Sequence, residues 1–442
     1  MNRRDFLKIA CTSSLVNFMG LHPNAWAFSN GKDETSSKKL IVVLLRGGVD
    51  GLNVVAPYGD NRYKSLRPSI ALSRSESNAA LIDLDGYFGL HPAMAPLMPL
   101  WQNKTLAFVH DCGSPDPTRS HFDAQDYMES GVPGQKSVST GWLNRLVSQL
   151  PSKHSPLQAI SVGPVLPRIC SGPTTIATIS RAISKSRSVM DRPGIAGAFQ
   201  DLYSGVNDDI GRAFAEGVAA HTAINEVMDS PDIASAGEQM SMPGGRRAQG
   251  ADGNADNQEM SREQKVANAG APTPRAYNKF GTQLANLFRK DPTVQVAFVD
   301  FGGWDTHIRQ GAGVGQLANH LSPLAAGLAE LTEGLGPLYK DTAILVMSEF
   351  GRTAKENGNG GTDHGHGNVM WIMGGDAPGG KVYGRWGGLA SNALHEDRDL
   401  PASTDFRSVI TAILTNHMDV SKAGLNIIFP DFAYPGNPFV QV

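Results

Sequence analysis

Cysteine is scarce in this chain, with three residues in 442, and one of them, Cys11, lies near the start. So few thiols exclude a disulfide scaffold, and a chain this long buries a core without such staples. One bridge, between Cys112 and Cys170, is permitted in an oxidising compartment. Long apolar runs are also missing, since no stretch approaches the roughly 18 continuous residues of a membrane span. Nor does one sign of charge dominate: 39 Lys and Arg stand against 42 Asp and Glu. That balance leaves no electrostatic footprint for nucleic acid or an acidic membrane surface. Two phosphate-binding motifs are absent. Gly47-Gly48-Val49-Asp50-Gly51 lacks the spacing of the dinucleotide fingerprint, and no Lys-Ser/Thr follows it as in a phosphate loop. Ser120 has no Gly-x-Ser-x-Gly elbow around it, which argues against an ordinary esterase triad.

What is present begins with an address. Asn2-Arg3-Arg4-Asp5-Phe6-Leu7-Lys8 is a twin-arginine pattern, followed by a modestly apolar stretch to about Leu21 and an Ala25-Trp26-Ala27 cleavage signal. The pattern predicts a signal peptide over 1–27, export by the twin-arginine translocase, and a periplasmic or secreted mature chain over 28–442. Lys8 stands where a lipobox wants an apolar residue, so Cys11 does not read as a lipoprotein cysteine. Cleavage removes Arg3, Arg4, Lys8 and Asp5 and leaves a net charge of about −5.

In the mature chain, apolar strand-like runs at Leu40 to Leu45, Leu106 to Val109, Val294 to Val299 and Ala343 to Met347 alternate with helical patterns at Pro92 to Trp101, Gly141 to Leu150, Ser322 to Tyr339 and Thr404 to His417. That alternation predicts an α/β fold with a mostly parallel central sheet covered by helices. The first and last of these runs carry no polar residues, as expected for strands buried on both faces. Helical patterns also occupy about Ile195 to Met228 and Ala276 to Arg289. Between them, about 230–273 is poor in large aliphatics and is expected to be a disordered insertion.

Each strand-like run leads to residues able to bind a metal or start a displacement. In open α/β sheets ligands bind beyond the carboxyl ends of the strands, so one shared site is implied. The candidates are Asp50 after the first run; Arg119 and Ser120 before a helix at His121 to Ser130; Asp305 and His307 after the third; Glu349 and Arg352 after the fourth; and Asp363, His364 and His366 in a glycine-rich stretch. Asp305 and His307 are the sharpest pair, because a carboxylate and an imidazole two apart in a loop can hold one cation, and Asp, Glu and His suit zinc or manganese. Ser120 reads both as an N-cap and as an oxygen beside free backbone donors that favour an anion. His121 is the weaker candidate, since a lone histidine is more often structural.

The order of these residues resembles that of the alkaline phosphatase superfamily, and more closely that of the exported bacterial proteins of domain-of-unknown-function family number 1501. The likeness spans about Leu40 to Met418. It rests on Leu45-Arg46-Gly47-Gly48-Val49-Asp50-Gly51-Leu52-Asn53, Arg119-Ser120-His121-Phe122-Asp123-Ala124, Gly303-Trp304-Asp305-Thr306-His307, Glu349-Phe350-Gly351-Arg352-Thr353 and Asp363-His364-Gly365. It implies one alkaline-phosphatase-like three-layer α/β domain and one or two divalent ions. Asp50 and Glu349 would hold one ion facing Ser120; Asp305, His307 and either His364 or His366 would hold the other, with Arg352 or Arg119 clamping the substrate. The implied chemistry is metal-assisted hydrolysis of a small anionic phosphate or sulfate ester. The competing class is a non-catalytic secreted protein that binds a metal or a partner. Phe350 departs from the superfamily pattern, which has His directly after the acid, and Asp305 and His307 are more closely spaced than usual.

Overall fold

The computed structural model describes residues 38–75, 79–151, 155, 157–163, 165–179, 193–203, 211, 217–219, 222 and 262–439. The signal-peptide expectation and the greater part of the 230–273 expectation lie outside the described residues.

Among the described residues, a nine-stranded sheet forms the centre. Its strands are β1 (Lys39–Leu45), β2 (Leu106–Gly113), β3 (Ala159–Val162), β4 (Ala177–Ile179), β5 (Val296–Phe301), β6 (Thr342–Ser348), β7 (Asn368–Gly374), β8 (Lys381–Tyr383) and β9 (Thr404–Asp405). They lie in the order β8-β2-β7-β6-β1-β5-β3-β4, and β9 also pairs with β2. All neighbours run parallel except β7, which is antiparallel to both β2 and β6. The four apolar runs are strands, and β1, β5 and β6 are adjacent at the middle, buried along their whole length. Burial on both faces is the reason their side chains do not alternate with polar ones.

Seven helices bear on the packing and the site: α1 (His121–Ser130), α2 (Trp142–Gln149), α3 (Arg262–Asn268), α4 (Phe280–Lys290), α5 (Gln316–Leu335), α6 (Phe406–Asn416) and α7 (Lys422–Ile428). On one sheet face Ile41, Val43, Val299 and Val346 pack against Leu284 and Phe288 of α4 and Leu321, Leu324 and Leu328 of α5. On the other, Leu40, Val42, Leu44 and Leu345 pack against Trp142 and Leu146 of α2, Ile410 and Leu414 of α6, and Ile428 of α7. Two helical layers thus enclose the sheet, which is the expected three-layer arrangement.

Three local expectations need correction. The Pro92 to Trp101 pattern is a 3-10 helix through Leu97 followed by a short α-helix, because Pro96 and Pro99 lack the N–H donors a continuous α-helix would need. The end of the supposed insertion is ordered: α3 buries Ala267 and Asn268 against the body of the protein. Cys112 and Cys170 are both free and buried, so the permitted bridge does not form. Among the described residues, no helix is long and apolar enough to cross a membrane.

Candidate metal centre

The loops after β1, β5 and β6 meet beyond the carboxyl ends of these central strands, and glycine lets them come close. A Cβ on Gly47, whose φ is +120°, would lie 2.7 Å from the Asp305 backbone nitrogen; one on Gly365 would lie 2.5 Å from the Arg352 carbonyl carbon. No larger residue fits either approach. Trp304, wholly buried, donates its indole N–H to Phe301 O at 3.0 Å and pins the loop that carries Asp305.

Asp305 is the centre of the cluster. Its Oδ1 lies 3.0 Å from His307 Nε2, 3.1 Å from His364 Nε2, 3.5 Å from His121 Nε2 and 2.6 Å from Arg352 Nη2. Ligand atoms of His121, Asp305 and His364 all fall within 4.8 Å of one another, a spacing at which one ion can touch all three. Each imidazole is backed on its far side by an oxygen. His121 Nδ1 lies 2.8 Å from Glu349 Oε1, His364 Nδ1 lies 3.0 Å from Arg119 O, and His307 Nδ1 lies 3.2 Å from Asp363 Oδ1. An oxygen acceptor at Nδ1 draws the ring proton there and leaves the Nε2 lone pair facing inward, as metal-binding histidines require.

The electrostatics call for positive charge at this point. Burial pushes the Asp305 carboxyl up, yet the adjoining imidazoles of His121, His307 and His364 and the Arg352 charge outweigh it and hold the group far below the ordinary range. Burial pulls His121 down, but Asp305 and Glu349 raise it to about 9, so without an ion the ring holds a second proton on Nε2 that a bound cation would displace. Burial keeps His364 below its ordinary value against the pull of Asp305. His121 Nε2 is buried without a hydrogen-bond partner, and the Nε2 atoms of His307 and His364 stand only 3.0 Å apart. Two bare imidazole nitrogens that close repel unless a proton or a cation sits between them. The donor set therefore fits a single divalent ion.

The other expected residues sit differently. Asp50, fully buried, accepts at Oδ2 from Arg67 Nη1 at 2.6 Å and from Gln310 Nε2 at 2.5 Å, so a guanidinium takes the place expected for a cation. Glu349 does not pair with Asp50; it backs His121 and accepts from Gly47 N–H at 2.7 Å. Arg352 is buried, with its guanidinium taken up by the carbonyls of Gly47, Gly48, Trp304 and Thr362 and by Asp305, and so is not free to clamp a substrate. Arg119 is partly exposed and pairs with Asp399 and Glu396, both at 2.6 Å. Ser120 is the exposed N-cap of α1, its Oγ accepting from Asp123 N–H at 3.5 Å. Asp363 stays outside the cluster behind His307. His366 turns away: its Nε2 meets Ser114 O at 2.9 Å and its ring packs on His395. Phe350 is buried and lies against both His121 and His364, with ring centroids 4.8 and 4.9 Å apart.

Sequence reasoning ranked His121 too low. A signal was available: His121, Gln125 and Glu129 fall four apart along α1 and are all buried, so the stripe that should be apolar on a core-facing helix is polar.

The match to a family model described as Protein of unknown function (DUF1501) runs over residues 37–428. The chain belongs to the DUF1501 family. No curated protein matches it. Among solved structures, this DUF1501 protein is similar to Ps i-CgsB in complex with k-i-k-neocarrahexaose, with 10% identity, 91% of this chain and 77% of that one covered, and a TM-score of 0.40. It is also similar to BT1596, a 2-O GAG sulfatase, at 10% identity over 78% and 66% of the two chains with a TM-score of 0.29. The lipoteichoic acid synthase LtaP from Listeria monocytogenes matches at 9% identity over 84% and 73%, with a TM-score of 0.31. With scores this low, these likenesses carry neither an activity nor site residues to this chain.

Proposed function

We propose that this protein is an exported, metal-dependent hydrolase of the alkaline-phosphatase-like type that acts on a small phosphate or sulfate ester with one divalent cation. The observation that carries this reading is the convergence of three Nε2 atoms on Asp305 Oδ1, each imidazole backed by an oxygen. His121, His307, His364 and Asp305 would hold the ion, and a nitrogen-rich set of this kind suits zinc ahead of manganese. The bound ion would supply Lewis-acid activation of the ester and of an oxygen nucleophile. Ser120, between Arg119 and His121 at the start of α1, would supply the attacking side-chain oxygen, and the first-turn N–H groups favour an anion beside it. Arg119, partly exposed and paired with Asp399 and Glu396, would supply the guanidinium that meets the substrate. The twin-arginine pattern supports export and a periplasmic or secreted location.

A second reading, a non-catalytic secreted protein that keeps one metal to bind a ligand or partner, is favoured by Phe350 and Asp50. The first offers no ligand atom, and the second is held by Arg67. Elemental analysis of chelator-free protein followed by a screen of phosphate and sulfate esters separates the two. One ion per chain with chelator-sensitive turnover supports the hydrolase; one ion with no turnover supports the binding protein; no ion in folded protein refutes both.

A further inference from the structure

The tautomer of His121 is set by groups that do not touch the cluster. Gln125, one turn further along α1, lies with its Oε1 2.8 Å from Arg46 Nη1 and its Nε2 2.6 Å from Ala267 O in α3. A guanidinium can only donate and a backbone carbonyl can only accept, so the amide has one permitted orientation. Flipped, it would set donor against donor at one end and acceptor against acceptor at the other. The second hydrogen on Nε2 then faces Glu349 Oε1 at 3.0 Å, and the Gly47 N–H, another obligate donor, reaches the same oxygen at 2.7 Å. An oxygen that receives two obligate donors is an acceptor, so its third neighbour, His121 Nδ1 at 2.8 Å, must be the donor. Arg46 is itself held in place by Glu129 at 2.8 Å and Asp300 at 2.7 Å.

We propose that Arg46 and Gln125 are positioning residues for the metal: through one fixed amide they hold Glu349 as an acceptor and keep His121 with its proton on Nδ1, so that Nε2 is bare for the ion. The polar stripe His121, Gln125 and Glu129 is then the inner face of a relay, and α3 closes it through the Ala267 carbonyl. The inference rests on the one-cation reading above.

The test uses zinc and the full mature chain. Zinc affinity is measured by competition against a chromophoric chelator for the wild type, Gln125→Glu and Gln125→Met, with folding checked by near-UV circular dichroism. Gln125→Glu keeps the shape and the Arg46 contact but sets an acceptor against Glu349 Oε1; Gln125→Met removes both. Each is expected to weaken zinc binding 10- to 100-fold, the range for outer-shell partners of a ligating histidine. The imidazole nitrogen shifts of His121 in the zinc-loaded wild type give a readout independent of any variant, and are expected to show a protonated Nδ1 and a metal-bound Nε2. Wild type that binds zinc through His121 Nδ1, or folded variants that bind as tightly as wild type, would overturn the relay while leaving the metal centre standing. Wild type that binds no zinc would instead remove the one-cation reading and the relay with it.

Discussion

Two buried aspartates stand at the carboxyl ends of the central strands, one after β1 and one after β5, and their surroundings have opposite character. Asp50 faces a guanidinium and the NH2 end of the Gln310 amide, both of which donate to it. Asp305 also touches a guanidinium, but three imidazoles are aimed at the same oxygen. The first corner is already neutralised and holds the loops together; the second gathers lone pairs at one point. An acid at a strand end is therefore not a ligand on position alone, and the neighbours that decide it come from elsewhere in the chain.

The largest effect that can break this contrast is at Asp305. Asp305→Ala removes the one carboxylate among the donors and is expected to lower zinc affinity by at least about 100-fold, read by titration of folded protein. Asp50→Ala is expected to keep one ion per chain. It leaves Arg67 buried and uncompensated, so stability should fall by about 3–5 kcal/mol in urea denaturation. Loss of the ion from folded Asp50→Ala protein would restore a role for Asp50 in metal binding.

A third buried acid sharpens the comparison, because it has neither kind of neighbour. Asp111, on β2 with φ +50°, has both carboxylate oxygens buried without a side-chain partner. Burial pushes its carboxyl up from the ordinary 3.8 to about 8, against a weaker pull from the Gly387 backbone. The folded protein thus keeps a proton that the unfolded chain has released, so stability falls as pH rises from the unfolded value through the folded one. The loss is expected to be about 2 kcal/mol between pH 5 and pH 6.5. Asp111→Asn, which tolerates the same left-handed backbone, should abolish that slope. Thermal unfolding of the two proteins across this window checks it, and parallel curves would refute the assignment.

How much of this was legible in the sequence depends on which contacts are local. The runs that became β1, β2, β5 and β6 could be read directly, because strands buried on both faces need uninterrupted apolar residues. The start of α1 was legible in Ser120 and Asp123, a local capping pair. The neutralisation of Asp50 was not, since Arg67 lies 17 residues away and Gln310 lies 260 away, and neither carries a motif. Nor was the order of α3, whose composition reads as disordered while Ala267 is held by the Gln125 side chain from 142 residues away.

The smallest effect is expected where the sequence left two equal choices, His364 and His366. One glycine separates them, and a bend in the chain at His366 turns them to different neighbours. His364 reaches Asp305 at 3.1 Å with its Nδ1 on Arg119 O, whereas His366 spends its Nε2 on Ser114 O. His366→Asn removes a single hydrogen bond to a carbonyl and leaves every atom of the cluster in place, so stability should change by only about 1 kcal/mol. Zinc affinity should match wild type. His364→Ala, by contrast, removes an inward-facing Nε2 and should weaken zinc at least about tenfold. Titrating both folded variants side by side decides the matter: a His366→Asn protein that loses its ion while His364→Ala keeps it would move the centre to the His366 side of Gly365, next to His395 and Asp399.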